Sequence, residues 1–150
     1  MNNPRELLAR VNLKYTRQRE IILDALRDLK VPVSVEQLDD YCRSHAHPIN
    51  LSTIYRTIDS LSQVNLIHKS YNSITQSTMV ELVAPTHKHY LVCVECHAMI
   101  PIKMCPMHSI LDAIEHDYEF EVFSHQLEIS GLCASCALKK KKEHKNADLV

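Results

Sequence analysis

The chain has 150 residues, with 17 Lys and Arg against 18 Asp and Glu and a formal net charge of −1. That length allows one domain or two small ones, and no run approaches the length of a membrane span. Near-neutral charge argues against a protein that coats nucleic acid non-specifically, so any contact with DNA must come from a local basic surface.

Such a surface exists near the start, where Arg5, Arg10, Lys14, Arg17 and Arg19 cluster. Met1 to Arg10 reads MNNPRELLAR, with no apolar secretory run, which predicts a cytosolic, reducing compartment. Ile22, Ala25, Leu26 and Leu29 then fall at helical spacing behind Thr16, a good N-cap. Ser34 and Gln37 make a capping box, with Val33 placed to staple against Leu38. Tyr41 and Cys42 continue that stripe, so Cys42 reads as a small core residue. Asn50-Leu51-Ser52 is another helix start, with Ile54, Ile58 and Leu61 on one face and Thr53, Arg56, Thr57 and Ser60 opposite, beside Tyr55. β-prone runs follow at 66–71 and 78–83. Three helices and a β-hairpin describe a winged helix-turn-helix, whose last helix can enter a major groove. The alternative is that residues 51–63 form an amphipathic helix with a merely solvated polar face.

Pro85 marks a hinge, after which the pattern changes. His87, His89, Leu91 and Cys93 alternate with Lys88, Tyr90 and Val92, a strand-like period of two. A second strand is expected over Met99–Lys103. Pro106 suits the first position of a helix with Met107, Ile110, Leu111 and Ile114 as its buried stripe. A third strand is expected from Glu119 to about Ser130, with Phe123, His125, Leu127 and Ile129 on one face. Gly131, the only glycine, precedes Cys133, where a tight turn is expected. The basic run Lys139–Lys142 opens a tail, 139–150, read as disordered and solvated.

The chemistry lies in two Cys-x-x-Cys pairs, Cys93/Cys96 and Cys133/Cys136. Four thiolates can close a tetrahedral structural zinc site; two disulfides are the alternative, disfavoured in a reducing compartment. The histidines need a separate explanation. Alternate residues on a strand lie about 6.6–7 Å apart and point the same way, so His87 and His89 could reach one metal. With His125 and His108 they suggest a three- or four-histidine site. Cys105, three residues before His108, is either a further ligand or a capping thiol. A zinc hydrolase would need an open coordination position and a general base, for which Glu121 and Glu128 are the acids nearest His125.

Lys14-x-Thr16-x-x-Arg19, Ser52-Thr53-Ile54-Tyr55-Arg56, His87-x-His89 before Cys93-x-x-Cys96, and His125 before Gly131-x-Cys133-x-x-Cys136 occur in order. Over residues 7–137 this resembles the ferric uptake regulator family of metal-sensing repressors. The resemblance implies an α+β fold: a winged-helix DNA-binding domain at 1–83, a hinge at 84–86, and an α/β dimerisation domain at 87–138 carrying the four-cysteine zinc knuckle. It implies a cytoplasmic bacterial homodimer acting on double-stranded operator DNA, with no membrane association and no enzymatic activity. Tyr55 and Arg56 match the family's recognition-helix contacts and Arg19 its basic position near the backbone, with Thr53 and Lys14 beside them.

The departures are informative. Lys88, Tyr90 and Pro101 stand where the family's hinge sensor has ligands, and Pro32 or Val33 where it has a histidine. Only Glu81 remains, which makes a hinge metal unexpected and suggests that Lys88 fills its space. The other family site matches at His87, His89 and His125, with His108 in place of a carboxylate. Softer donors favour a regulatory zinc over ferrous iron or manganese. The expected function is thus a zinc-responsive repressor of metal-uptake genes. An iron- or other metal-responsive repressor is the close alternative, and a zinc enzyme or a metal buffer without DNA binding the distant one.

Overall fold

A computed structural model describes residues 3–84, 88–123, 125 and 127–147. The expected hinge residues Pro85 and Thr86, and the candidate ligand His87, lie outside the described residues. The chain divides into two compact units, Met1–Val83 and Ala84–Val150.

The first unit begins with α1 (Pro4–Arg10), capped by Asn3 and opened by Pro4. Helix α2 (Arg17–Leu29) starts where expected, with Thr16 Oγ1 accepting from the Arg19 amide at 3.3 Å. Strand β1 (Val33–Ser34) leads into α3 (Val35–Ser44), and the Ser34–Gln37 capping box forms reciprocally, at 2.8 and 3.2 Å. Asn50 caps α4 (Leu51–Gln63). Strands β2 (Ile67–Asn72) and β3 (Ser77–Leu82) form the wing, and the antiparallel sheet runs β1-β3-β2. Leu8, Ile22, Leu38, Ile54, Leu61 and Val80 sit at its centre, each completely buried, and Cys42 packs with them as expected. Thr57, expected on the polar face of α4, is buried instead.

The second unit holds β4 (His89–Cys93), β5 (Met99–Ile102), α5 (His108–Tyr118), β6 (Glu128–Gly131) and α6 (Ala134–Ala147). Strand β4 is central, antiparallel to β5 and parallel to β6.

Four expectations change here. The third strand is short, because its register pairs Tyr90 with Glu128 and β4 offers little partner before that point; His125 is therefore not part of the strand, and positions 124 and 126 of the expected strand lie outside the described residues. Helix α5 begins at His108, two residues after Pro106, with no side-chain cap, and none of its residues is buried within the single chain. Gly131 is not a turn residue: its φ is not positive, and a Cβ there would touch nothing within 4 Å. The left-handed residue beside the cysteines is His97, at φ 58°. Finally, Lys139–Lys142 lies within α6, in a segment rich in Ala, Leu, Lys and Glu, all good helix formers. Lys140 Nζ meets Glu95 at 2.7 Å, tying this helix to the turn between Cys93 and Cys96.

Candidate metal centres and DNA-binding face

Strand β4 ends at Cys93, a turn brings Cys96 back, and the parallel β6 delivers Cys133 and the first turn of α6 with Cys136. The four sulfurs lie within 4.8 Å of one another. Four sulfurs about 2.3 Å from one tetrahedral ion stand about 3.8 Å apart, and Cys96 Sγ and Cys133 Sγ are separated by 3.7 Å. The donor set fits a structural zinc.

The electrostatics fit as well. The Cys133 amide donates to Cys93 Sγ at 3.3 Å. With the Cys96 and Glu95 amides it pulls the Cys93 thiol down to about 6. Ser135 Oγ, 3.1 Å from Cys133 Sγ, is the main cause of a lowered Cys133. Cys136 is pushed up to about 12 by its hydrogen bond to Cys133 and by burial among the other thiols. The amide and hydroxyl donors thus favour the anionic form of Cys93 and Cys133, the form a metal ion binds.

The second cluster is built from His89, the first residue of β4, Cys105 between β5 and α5, and His125 before β6. The two Nε2 atoms are 3.0 Å apart, and Cys105 Sγ lies 3.3 Å from each. His89 is 4% exposed, while Cys105 and His125 are half-buried. This donor set also fits a metal ion. His108, expected here, is exposed at the start of α5 and outside the cluster. These are the only clusters of three or more such donors among the described residues. Lys88 is exposed and Tyr90 buried, and Glu81 lies on β3 in the other unit.

In the first unit, Tyr55 and Arg56 are exposed on α4 while Ile54, Thr57 and Ile58 face inward. The Arg56 guanidinium folds back along the helix, donating to Ser52 O at 3.2 Å and Ser52 Oγ at 3.3 Å. Tyr55 Oη donates to Glu36 Oε1 at 3.3 Å, and the Glu36 charge raises the Tyr55 hydroxyl above its ordinary value. Arg19 Nη1 donates to the Lys14 carbonyl. A groove runs between the start of α2 and the start of α4, lined by Arg17, Gln18, Asn50 and Thr53 together with the apolar Ile21, Pro48 and Ile49. Gln18 and Asn50 carry no sequence signal for this role beyond Asn50's capping position. The arrangement gives a helix with exposed planar and cationic groups beside a groove of mixed polar and apolar lining, groups of the kind that meet DNA bases and phosphates.

Comparison with known proteins is consistent in direction. Residues 10–130 match the model of the ferric uptake regulator family. A ferric uptake regulation protein from Synechococcus elongatus is 31% identical over 126 residues, covering 82% of this chain and 85% of that one. A zinc uptake regulation protein from Mycobacterium tuberculosis is 27% identical over 129 residues, covering 86% and 98%. The Vibrio cholerae ferric uptake regulator shares the fold, with a TM-score of 0.76, 23% identity, and coverage of 85% of this chain and 98% of that one. Among the described residues, no helix is long and apolar enough to cross a membrane.

Proposed function

Because the chain belongs to the ferric uptake regulator family of metal-responsive, DNA-binding transcription regulators, which are not enzymes, we propose that it is a zinc-responsive, homodimeric repressor of metal-uptake genes. It acts in the cytoplasm on double-stranded operator DNA, with Tyr55 and Arg56 reading the groove and Lys14, Arg19 and Thr53 supporting them. The observation that supports zinc is the donor chemistry. Both clusters of the second unit consist of thiols and imidazoles, with no carboxylate in either. The relatives' names fall mostly on iron, with zinc among them; hard ions such as manganese prefer oxygen donors.

Cys93, Cys96, Cys133 and Cys136 would hold a structural zinc, which stabilises the fold by cross-linking β4, β6 and α6. His89 and His125 would hold the regulatory ion, with His87 as a further donor. His89 is the first residue of β4, near the start of the second unit, which begins at Ala84. Metal then favours the operator-competent dimer only by as much as it binds that state more tightly.

The test is DNA binding from a genomic fragment library at buffered free zinc, ferrous or manganous ion, with the structural zinc retained. Zinc should promote binding at the lowest free concentration. His89→Ala should keep its structural zinc and its dimer while losing the metal dependence. A response to ferrous ion below the zinc threshold would assign the switch to iron, and an unchanged zinc response in His89→Ala would move it elsewhere.

A further inference from the structure

The connection between β5 and α5 turns one sulfur inward. Lys103, Met104 and Pro106 are exposed, Met104 at 80%, yet Cys105 between them is half-buried. Its Sγ stands 3.3 Å from the Nε2 of His89 and of His125, which are 3.0 Å from each other. Three donor atoms from three separate segments therefore converge in a nearly equilateral triangle. A tetrahedral zinc spaces such donors about 3.3–3.6 Å apart, given Zn–N near 2.05 Å and Zn–S near 2.3 Å. The observed triangle is a few tenths of an ångström tighter. A thiol is a poor hydrogen-bond partner for an imidazole but a good co-ligand beside one. His108, three residues further on, belongs to neither cluster.

We infer that Cys105 is the thiolate ligand of the regulatory centre, in the role the sequence assigns to His108, and that this sulfur selects thiophilic divalent ions over ferrous and manganous ions. The inference rests on reading the second cluster as the regulatory centre. On coordination the thiol proton passes to solvent and the sulfur lone pair goes to the metal. Among the described residues the site then offers two nitrogens and one sulfur, a set suited to zinc and to its spectroscopic substitute cobalt.

Cobalt tests this directly. Protein that retains zinc in the four-cysteine centre, verified by metal analysis of the same sample, is titrated with one equivalent of Co2+. A sulfur-to-cobalt charge-transfer band should appear in the near ultraviolet together with visible ligand-field bands. Cys105→Ser should lose the charge-transfer band. Removing an outer-shell partner of a metal ligand already costs about 10–100-fold in affinity, so this variant should bind cobalt at least about tenfold more weakly. Cys105→His should bind cobalt through nitrogen, with ligand-field bands but no charge transfer, which guards against a variant that merely misfolds. His108→Ala should match the parent in both bands. A charge-transfer band that survives in Cys105→Ser with the zinc content unchanged overturns the inference, as does a tenfold loss in His108→Ala. His89→Ala separates the two readings. If it loses cobalt binding while Cys105→Ser does not, only the sulfur ligand is wrong. If it binds cobalt as the parent does, the cluster is not the metal centre and the regulatory reading falls with it.

Discussion

Replacing Cys136 by Ser should unfold the second unit and leave the first intact. Among the described residues, the second unit buries only His89, Tyr90, Val92, Cys93 and Cys136, the last two being thiols of the four-sulfur cluster. The first unit, by contrast, has a continuous aliphatic core drawn from all of its helices and strands. A structural zinc contributes roughly 10–16 kcal/mol of apparent binding energy at neutral pH, against a whole-domain stability of about 5–15 kcal/mol. Losing half of the metal term, about 5–8 kcal/mol, would exhaust the stability of a domain in the lower part of that range, where a unit with so small a core belongs, and a serine hydroxyl is a far poorer zinc ligand than a thiolate. Hydrogen exchange read by mass spectrometry resolves the two units in one experiment. In the zinc-loaded parent, peptides from residues 89–102 and 128–140 should be protected. In Cys136→Ser they should exchange at unprotected rates while residues 20–82 stay slow. Cys42→Ala, which removes a buried thiol outside both clusters, should leave the zinc stoichiometry unchanged. Protection of both β4 and β6 in Cys136→Ser at the parent level would refute the reasoning.

Arg56→Ala should weaken operator binding; a bidentate contact to guanine is worth about 1–3 kcal/mol of discrimination, whereas a phosphate contact weakens all sequences alike and flattens the salt slope. Measured at several salt concentrations on specific and scrambled DNA, an unchanged affinity would remove α4 from the interface. Gly131→Ala should stabilise the second unit by about 0.4–1 kcal/mol by restricting the unfolded chain, since the native backbone tolerates a side chain there; a lower urea midpoint would contradict this. Glu20 Oε2 accepts from Tyr15 Oη and Arg17 Nη1, both at 2.6 Å, and these bonds hold its carboxyl below the ordinary range. The resulting stability is present above the unfolded carboxyl's pKa and is lost as pH falls through the depressed one. The parent should therefore lose more stability than Glu20→Gln between about pH 7 and 3, and parallel acid limbs in urea titrations would dismiss the contribution.

What could be read in advance follows the range of the physical signal. Thr16, Ser34 with Gln37, and Asn50 act on amides two or three residues away, so the starts of α2, α3 and α4 are legible from adjacent letters. The same signal marks α1 through Asn3 and Pro4, which an eye fixed on the basic cluster passes over. The Cys-x-x-Cys pairs are legible because their spacing is local and their chemistry narrow. The extent of β6 is not, since a strand lasts only as long as its partner, and the register that sets it joins residues far apart in the chain. Nor is the composition of the second cluster. Histidine and cysteine are visible as types, but whether Cys105 or His108 reaches His125 depends on how the chain leaves β5. Helix α6 is missed because a lysine run looks solvated by itself, whereas its first turn lies inside the Cys133–Cys136 pair.

The parallel pairing of β4 with β6 would give the two proposed centres an order of filling. His89 and His125 are 36 residues apart in the chain. Bringing the ends of a free segment of that length together costs about 3 kcal/mol from the logarithmic term of loop closure alone. Cys93 and Cys133 close a loop of 40 residues whose ends lie only a few residues beyond those histidines. The two closures are offset rather than nested, with His89 before Cys93 and His125 before Cys133, so strands held together by the four-sulfur centre would bring the histidines to a raised effective concentration. A second ion would then close only the short stretches from His89 to Cys93 and from His125 to Cys133, which saves about 1 kcal/mol of the logarithmic term, roughly fivefold in affinity. If both clusters bind metal as proposed, sequential loading follows from chain topology: the four-sulfur centre would fill first, and the histidine centre would report on the metal that remains.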